Sequence, residues 1–302
     1  MIVITHNDIY NTSGGLERAA KTFITWIERG GDPVNYFFGW SFLNKINLIR
    51  SHKRIFLIGH RSIPLLFWGL FFYLIGKHVI WCAFWHDHKL EKTKNHYLYE
   101  LFDVFFRKIY NLSDLMLVVS EHERVRIVRS EHFAKIKLAT VVNIPVSMMS
   151  GPRDIDVLIV GRDVPHKRMN LIRKLKVETN LSVFELITNK LPVSEKKLMD
   201  TYCSAKTVMV PSLYESYSLV ALEALSCGCN VVVAPGVMIK DHFEDYANFI
   251  VLNDDIWAPK NILKVIEQLQ EISQNLQVAV NVQNKFSDES CSKDFLEKIQ
   301  RV

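Results

Sequence analysis

Cysteine is sparse and irregular in this 302-residue chain: Cys82, Cys203, Cys227, Cys229 and Cys291 are the only five. An odd number without paired C-x-x-C knuckles gives neither a disulfide framework nor a structural zinc motif, and it favours a reducing compartment. With 12 glycines and 9 prolines the chain cannot be collagen-like or mucin-like, and no heptads persist to make a coiled coil. Long apolar runs are missing too. The longest, Ile63–Ile75, reads IPLLFWGLFFYLI and stops at Gly76-Lys77-His78, whereas a membrane span needs about 20 residues. Extending it through Val79–Trp85 would bury Lys77 and His78. It is expected to form a buried helix, with insertion at a membrane surface or a short span as the alternatives. The opening Met1-Ile2-Val3-Ile4 lacks the basic segment of a signal peptide and meets His6, Asn7 and Asp8 at once.

What is present is a globular composition, 49% apolar and 23% charged, in a chain long enough for two domains. The net charge of +5 is unevenly placed. Residues 1–150 hold 19 Lys/Arg against 12 Asp/Glu, a balance of +7, and the remainder holds 18 against 20, a balance of −2. A basic first half points to an anionic partner: membrane headgroups, a phosphorylated acceptor or nucleic acid. Nucleic acid has only the charge in its favour, because no RNP, KH or zinc pattern accompanies it.

Short apolar runs alternate with helical patterns. Strands are expected at Ile2–Thr5, Val34–Phe38, Ile55–Ile58, Val79–Phe84, Leu115–Val119 and Leu138–Val142. Helices are expected at Leu16–Arg29, Pro64–Leu74, Tyr97–Tyr110 and Glu121–His132. Asn143–Asp154, with two prolines and a glycine, breaks the rhythm as a hinge would. Strands then resume at Ile155–Val160, Val183–Ile187, Thr207–Val210 and Val231–Val233. Helices are expected at Lys167–Lys176, Glu195–Cys203, Leu219–Cys227, Ile262–Leu276 and Lys293–Arg301. This is α/β alternation, two doubly wound Rossmann-like domains facing a central cleft. The expected boundaries are 1–145 and 154–285, with a final helical segment at 286–302.

Ligands of parallel sheets bind beyond the carboxyl ends of strands. After the first strand comes Ser13-Gly14-Gly15, neither a Rossmann fingerprint nor a Walker loop, where backbone amides can approach a phosphate or simply make a tight turn. After Val79–Phe84 comes Trp85-His86-Asp87-His88. The adjacency of His86 and Asp87 does not suit a metal, and a contact to a substrate hydroxyl or a structural histidine remain. After Ile155–Val160 come Arg162 and Lys167, a planar fork and a point charge suited to a diphosphate. The most informative segment is 207–235, TVMVPSLYESYSLVALEALSCGCNVVVAP. A strand ends at Pro211-Ser212; Glu215 is followed by Ser216, Tyr217 and Ser218, and a helix starts near Leu219 with Glu223 inside it. The free amides at that helix start can receive an anion.

Glu215 and Glu223 resemble the E-x7-E signature of the retaining glycosyltransferase family 4, glycosyl transferases group 1, which has the GT-B fold. Gly14-Gly15 resembles the glycine loop of that family, Arg162 and Lys167 its Arg/Lys pair, and His86-Asp87 its N-domain histidine motif. Ser120 stands where the family has a serine after a strand, and Phe286-Ser287 resembles the motif before the helix that crosses back onto the N-domain. Ser216 and Ser218 replace two glycines, and Asn230 replaces a proline.

The resemblance implies a hexosyltransferase moving a sugar with retention from a nucleotide diphosphate donor, with no cofactor and, because Arg162, Lys167 and the helix-start amides can meet the leaving diphosphate, no metal; the basic first half and the aromatic-rich Phe67–Tyr73 stretch suit a glycan or lipid-linked acceptor of cell-surface polysaccharide or lipopolysaccharide synthesis. It implies that Glu223 holds the ribose hydroxyls, that Glu215 contacts the sugar, and that His86 reaches the sugar from the other domain. Arg162, Lys167 and the amides near Tyr217, Ser218 and Leu219 would take the diphosphate. A cytoplasmic location at the inner membrane face is expected, with the basic half against anionic lipid and no role for nucleic acid. The alternative is a GT-B-like binding or scaffold subunit without turnover.

Overall fold

The computed structural model describes residues 1–11, 15–59, 62–82, 108–129, 139–141, 151–190, 193–243, 245–270 and 276–301. Of these, 1–82, 108–141 and 288–301 make one compact unit and 151–287 the other. The second of these units ends at Ser287. Phe286 is fully buried, its ring 5.8 Å from that of Phe243 in the second unit.

The first unit is built on six parallel strands, β1 (Ile2–Thr5), β2 (Asn35–Phe38), β3 (Arg54–Ile58), β4 (His78–Cys82), β5 (Leu115–Val118) and β6 (Ala139–Val141), in the order β2-β1-β3-β4-β5-β6. Strands covered on both faces read as continuous apolar runs, and IVIT, IFLI, VIWC and LMLV are buried throughout. Alternate residues serve alternate faces. Ile2, Ile4, Ile55, Leu57, Val79, Trp81, Met116 and Val118 share one core with Leu65, Trp68 and Phe72 of α2 (Ile63–Leu74). Ser62 caps that helix, accepting from the Leu65 amide at 3.3 Å. Gly69 lets α2 seat on β4, since a Cβ there would lie 2.5 Å from the Trp81 ring.

On the other face Phe56 meets Phe23 of α1 (Gly15–Arg29). The final helix of the chain, Asp288–Gln300, is covered there too: Phe295 stacks on Phe23 at 4.8 Å, and Trp26 Nε1 donates to Asp288 at 2.8 Å. Each buried ring of this kind contributes about 1.5–3 kcal/mol. Between β5 and β6 lies α3 (Glu121–Arg129).

The second unit holds five parallel strands, β7 (Ile155–Gly161), β8 (Val183–Ile187), β9 (Ala205–Val210), β10 (Asn230–Val233) and β11 (Phe249–Val251), in the order β8-β7-β9-β10-β11. Its helices are α4 (Met169–Glu178), α5 (Glu195–Cys203), α6 (Leu219–Ser226), α7 (Pro259–Gln270) and α8 (Leu276–Lys285), and the terminal helix of the first unit is α9. The chain leaves β7 for one edge and returns to β9 on the other side. The carboxyl ends of β7 and β9 therefore flank the switch point, the ordinary ligand crevice of such a sheet.

Three differences from the sequence reading have physical causes. Lys167 does not start a helix. Pro165–Lys167 form a 3-10 turn, and Arg168, at φ 50°, turns the chain before α4 begins at Met169. The expected helix Ile262–Leu276 begins earlier, at Pro259, and is described to Gln270, residues 271–275 lying outside the described residues; the helix Leu276–Lys285 was not expected. The 3-10 segment Ser41–Ser51 and the three-residue strand β11 were both missed, the first for want of a helical period and the second for its brevity.

Candidate functional site

The loops leaving β7 and β9 meet at the switch point of the second sheet. The β7 loop makes the 3-10 turn Pro165–Lys167, and the carbonyl of His166 accepts from the Leu213 amide at 2.8 Å. The β9 loop then runs extended beside the segment that follows β10. The Glu215 amide donates to Gly236 O at 3.0 Å, and its carbonyl accepts from Met238 N at 2.9 Å. This close approach depends on Gly236, because a Cβ there would sit 1.9 Å from the Leu213 carbonyl oxygen.

These constraints bring together two residues 48 positions apart. Lys167 Nζ donates to Glu215 Oε1 at 2.6 Å, with the side chains only 18% and 10% exposed. Ser212 donates its hydroxyl to the same oxygen at 2.5 Å. Burial pushes the Glu215 carboxyl up. The Lys167 ammonium, with the hydrogen bonds from Lys167, Ser212 and Ser218, outweighs it and holds the group below its ordinary value. Glu215 is therefore an anion in a largely dry place.

Behind it, α6 begins at the N-cap Ser218, which is fully buried and accepts from Ala221 N at 3.3 Å. Ser218 thus serves both Glu215 and the helix start, which gives one of the two serines that replace glycines a structural task. Ser216 is buried beside it. Tyr217 and Leu219 are half-buried at the same turn. Glu223 lies on α6 and is 2% exposed, a carboxylate in the core of the unit. Arg153 grips the far end of α6 through the Cys227 carbonyl.

Arg162 follows Gly161 at the end of β7. It is exposed and makes no side-chain hydrogen bond or ion pair among the described residues. Lys167, its expected companion, is committed to Glu215.

Arg168 is a site residue that the sequence did not disclose. Its Nε donates to the Pro211 carbonyl, its Nη1 pairs with Asp254 at 2.7 Å, and its guanidinium lies 5.7 Å from the centre of the Trp257 ring. It ties the exits of β7 and β9 to the turn Asp254–Ile256 and so fixes the neighbouring Lys167. Its only sequence signal was its place beside that lysine. Gly236 was missed too, lying 21 residues beyond Glu215.

In the first unit, Gly15 opens α1; Gly14 and His86 lie outside the described residues. Ser120 caps α3 in a reciprocal arrangement: its hydroxyl accepts from Glu123 N at 3.3 Å, while Glu123 Oε2 accepts from Val119 N at 3.2 Å. Among the described residues, no three His, Cys, Asp or Glu side chains gather as metal ligands, and no helix is long and apolar enough to cross a membrane.

Residues 151–282 match the model of the family described as glycosyl transferases group 1. The chain is similar to D-inositol 3-phosphate glycosyltransferase of Pseudarthrobacter chlorophenolicus, 37% identical over 79 residues, which are 26% of this chain and 18% of that protein. It is 40% identical to the enzyme of that name from Frankia alni over 60 residues, 20% of this chain and 15% of that one. The matched stretches thus take in less than a fifth of the length of these two relatives. Among solved structures, sucrose-phosphate synthase from Thermosynechococcus elongatus superposes with a TM-score of 0.77 at 12% identity, covering 99% of this chain and 98% of that one. HepE from Anabaena, in complex with UDP and glucose, gives 0.68 at 13% identity, covering 100% and 99%. The second unit of this chain thus matches the glycosyl transferases group 1 model, and the chain as a whole has the GT-B fold of its structural neighbours.

Proposed function

We propose that the chain is a retaining glycosyltransferase of family 4 that moves a hexose from a nucleotide diphosphate donor to an acceptor hydroxyl. The observation that carries this reading is the Lys167–Glu215 pair, dry and anchored at the switch point of the second sheet, with Glu223 buried on the next helix. It lies inside the stretch that matches the family model.

The chemical problem is the charge that grows on the leaving diphosphate, which preorganised donors must meet. Lys167 shares its charge with Glu215 and offers its remaining N–H bonds, Arg162 supplies the uncompensated cation, and the amides at Tyr217–Leu219 add the positive end of α6. Glu215, held ionised, faces the positive charge developing on the sugar, and Glu223 binds the ribose. Gly14, Gly15 and His86 keep the donor and sugar contacts that the resemblance implies for them.

No metal is needed in this scheme. The second unit is the nucleotide-sugar domain and the first the acceptor-side domain. The acceptor is a glycan or lipid-linked molecule of cell-surface polysaccharide or lipopolysaccharide synthesis, met at the inner membrane face by the basic half of the chain. UDP-glucose heads the donors to try, because HepE was crystallised with it.

The test is turnover of a panel of nucleotide sugars, with and without excess EDTA. Release of nucleoside diphosphate from at least one donor, undiminished by the chelator, is expected. No turnover of any donor, with nucleoside diphosphates still binding, would favour the scaffold reading. A loss reversed by magnesium would overturn metal independence.

A further inference from the structure

Helix α2 is apolar all the way round, reading IPLLFWGLFFYL. One side is buried on the first sheet. The other presents Ile63, Phe67, Leu70 and Leu74, spaced so that they line up along the helix, and they are 73%, 45%, 36% and 70% exposed. A surface helix ordinarily carries polar side chains on that face. The strip also widens. The Trp40 ring lies 5.2 Å from that of Phe67, and Leu43 on the neighbouring 3-10 segment is 51% exposed. A continuous apolar surface of this kind marks an interaction site.

The charges around it point to its occupant. Residues 33–86 contain no Asp or Glu, although the whole chain has 32. The same stretch carries Lys45, Arg50, Lys53, Arg54, Arg61 and Lys77. Arg54 is spent on Asp32. Lys45 and Arg50 are exposed on the 3-10 segment that also bears Leu43, and Lys77 follows the end of α2.

We propose that the outer strip of α2, with Trp40 and Leu43, seats in the interfacial layer of an anionic bilayer. Twelve residues are too few to span the membrane but enough to lie along it. The apolar strip enters the acyl boundary, and the cations of a stretch that itself contains no carboxylate meet headgroup phosphates. A second copy of the chain is the poorer occupant, since a two-fold interface would set the same cations against each other. The inference deepens the reading that the acceptor is lipid-linked, yet it stands on residues of the first unit alone.

The experiment is flotation of the full chain with vesicles of phosphatidylcholine, alone or with about 30% phosphatidylglycerol. Wild type should float with the anionic vesicles and lose binding as salt rises. Phe67→Glu/Leu70→Glu should lower the partition coefficient at least about tenfold. Lys45→Glu/Arg50→Glu should lower it several-fold and flatten the salt dependence. Both variants should keep the wild-type melting temperature and donor turnover. The proposal is overturned if the folded Phe67→Glu/Leu70→Glu variant floats like wild type, if wild type floats with neither vesicle, or if wild type is a dimer which that variant dissociates. Vesicle binding through this face without turnover of any nucleotide sugar would sink the proposed function and leave this inference standing.

Discussion

Breaking the Lys167–Glu215 pair from its two ends should have unequal effects. Lys167→Met strands an anion that is only 10% exposed, leaving it the hydroxyls of Ser212 and Ser218. Removing one partner of a buried pair costs about 3–5 kcal/mol, and the two serines place this case near the lower end. Glu215→Gln strands an ammonium on a flexible stem that can turn to water, so its cost should be smaller, about 1–2 kcal/mol. The double variant should cost less than the sum of the singles, with a coupling of roughly 1.5–3 kcal/mol.

The pH dependence carries a sign of its own. The folded-state pKa of Glu215 lies below its ordinary value. Its stabilisation is therefore complete above the unfolded value, about 4.3, and is lost as pH falls through the folded one. Glu215→Gln should lack this acid limb. Hydrogen exchange of the β7 and β9 amides between about pH 3 and 7 reads the stability of this unit directly. Additive single-variant costs, or an acid limb unchanged in Glu215→Gln, would refute the reasoning.

Three further outcomes follow from the same geometry. Gly236→Ala should push the loop bearing Glu215 off its neighbour, lowering stability by about 3 kcal/mol in thermal unfolding and weakening nucleotide binding. Arg162→Ala should leave the melting temperature unchanged, because the side chain is exposed, and should lower kcat by an amount equivalent to about 2–4 kcal/mol. Ser218→Ala should cost about 1 kcal/mol of stability and Ser218→Gly only a few tenths, since glycine is itself tolerated at an N-cap; urea midpoints would show the order.

Much of the fold was legible because parallel strands announce themselves as unbroken apolar runs. IVIT and NVVV fall where the runs predicted, within a residue. Boundaries failed where backbone geometry overrides pattern. Pro165 and the left-handed Arg168 delay α4 past Lys167, and no periodicity encodes that. At the site, the residue types near each strand end were readable because parallel sheets put ligands there. Their pairing was not. Lys167 and Glu215 meet only because the Leu213 amide reaches His166 and Gly236 admits the β9 loop, contacts that join distant segments. The outer strip of α2 shows the converse: the sequence supplied the apolar run, and only the structure showed which half of it is exposed.

The central claim, a nucleotide-sugar site built on Glu215 and Glu223, is tested most directly by calorimetry with a set of nucleoside diphosphates, run beside donor kinetics on wild type and two variants. Glu223→Gln should raise the Kd of the preferred nucleoside diphosphate and the donor KM by about tenfold or more, since it removes a contact made to the bound nucleotide throughout. Glu215→Gln should leave that Kd nearly unchanged and lower kcat, as a contact that matters most in the transition state would. If Glu215→Gln abolishes nucleotide binding while Glu223→Gln spares it, the two roles are reversed. If neither variant changes binding or turnover, the site is not where these two glutamates lie.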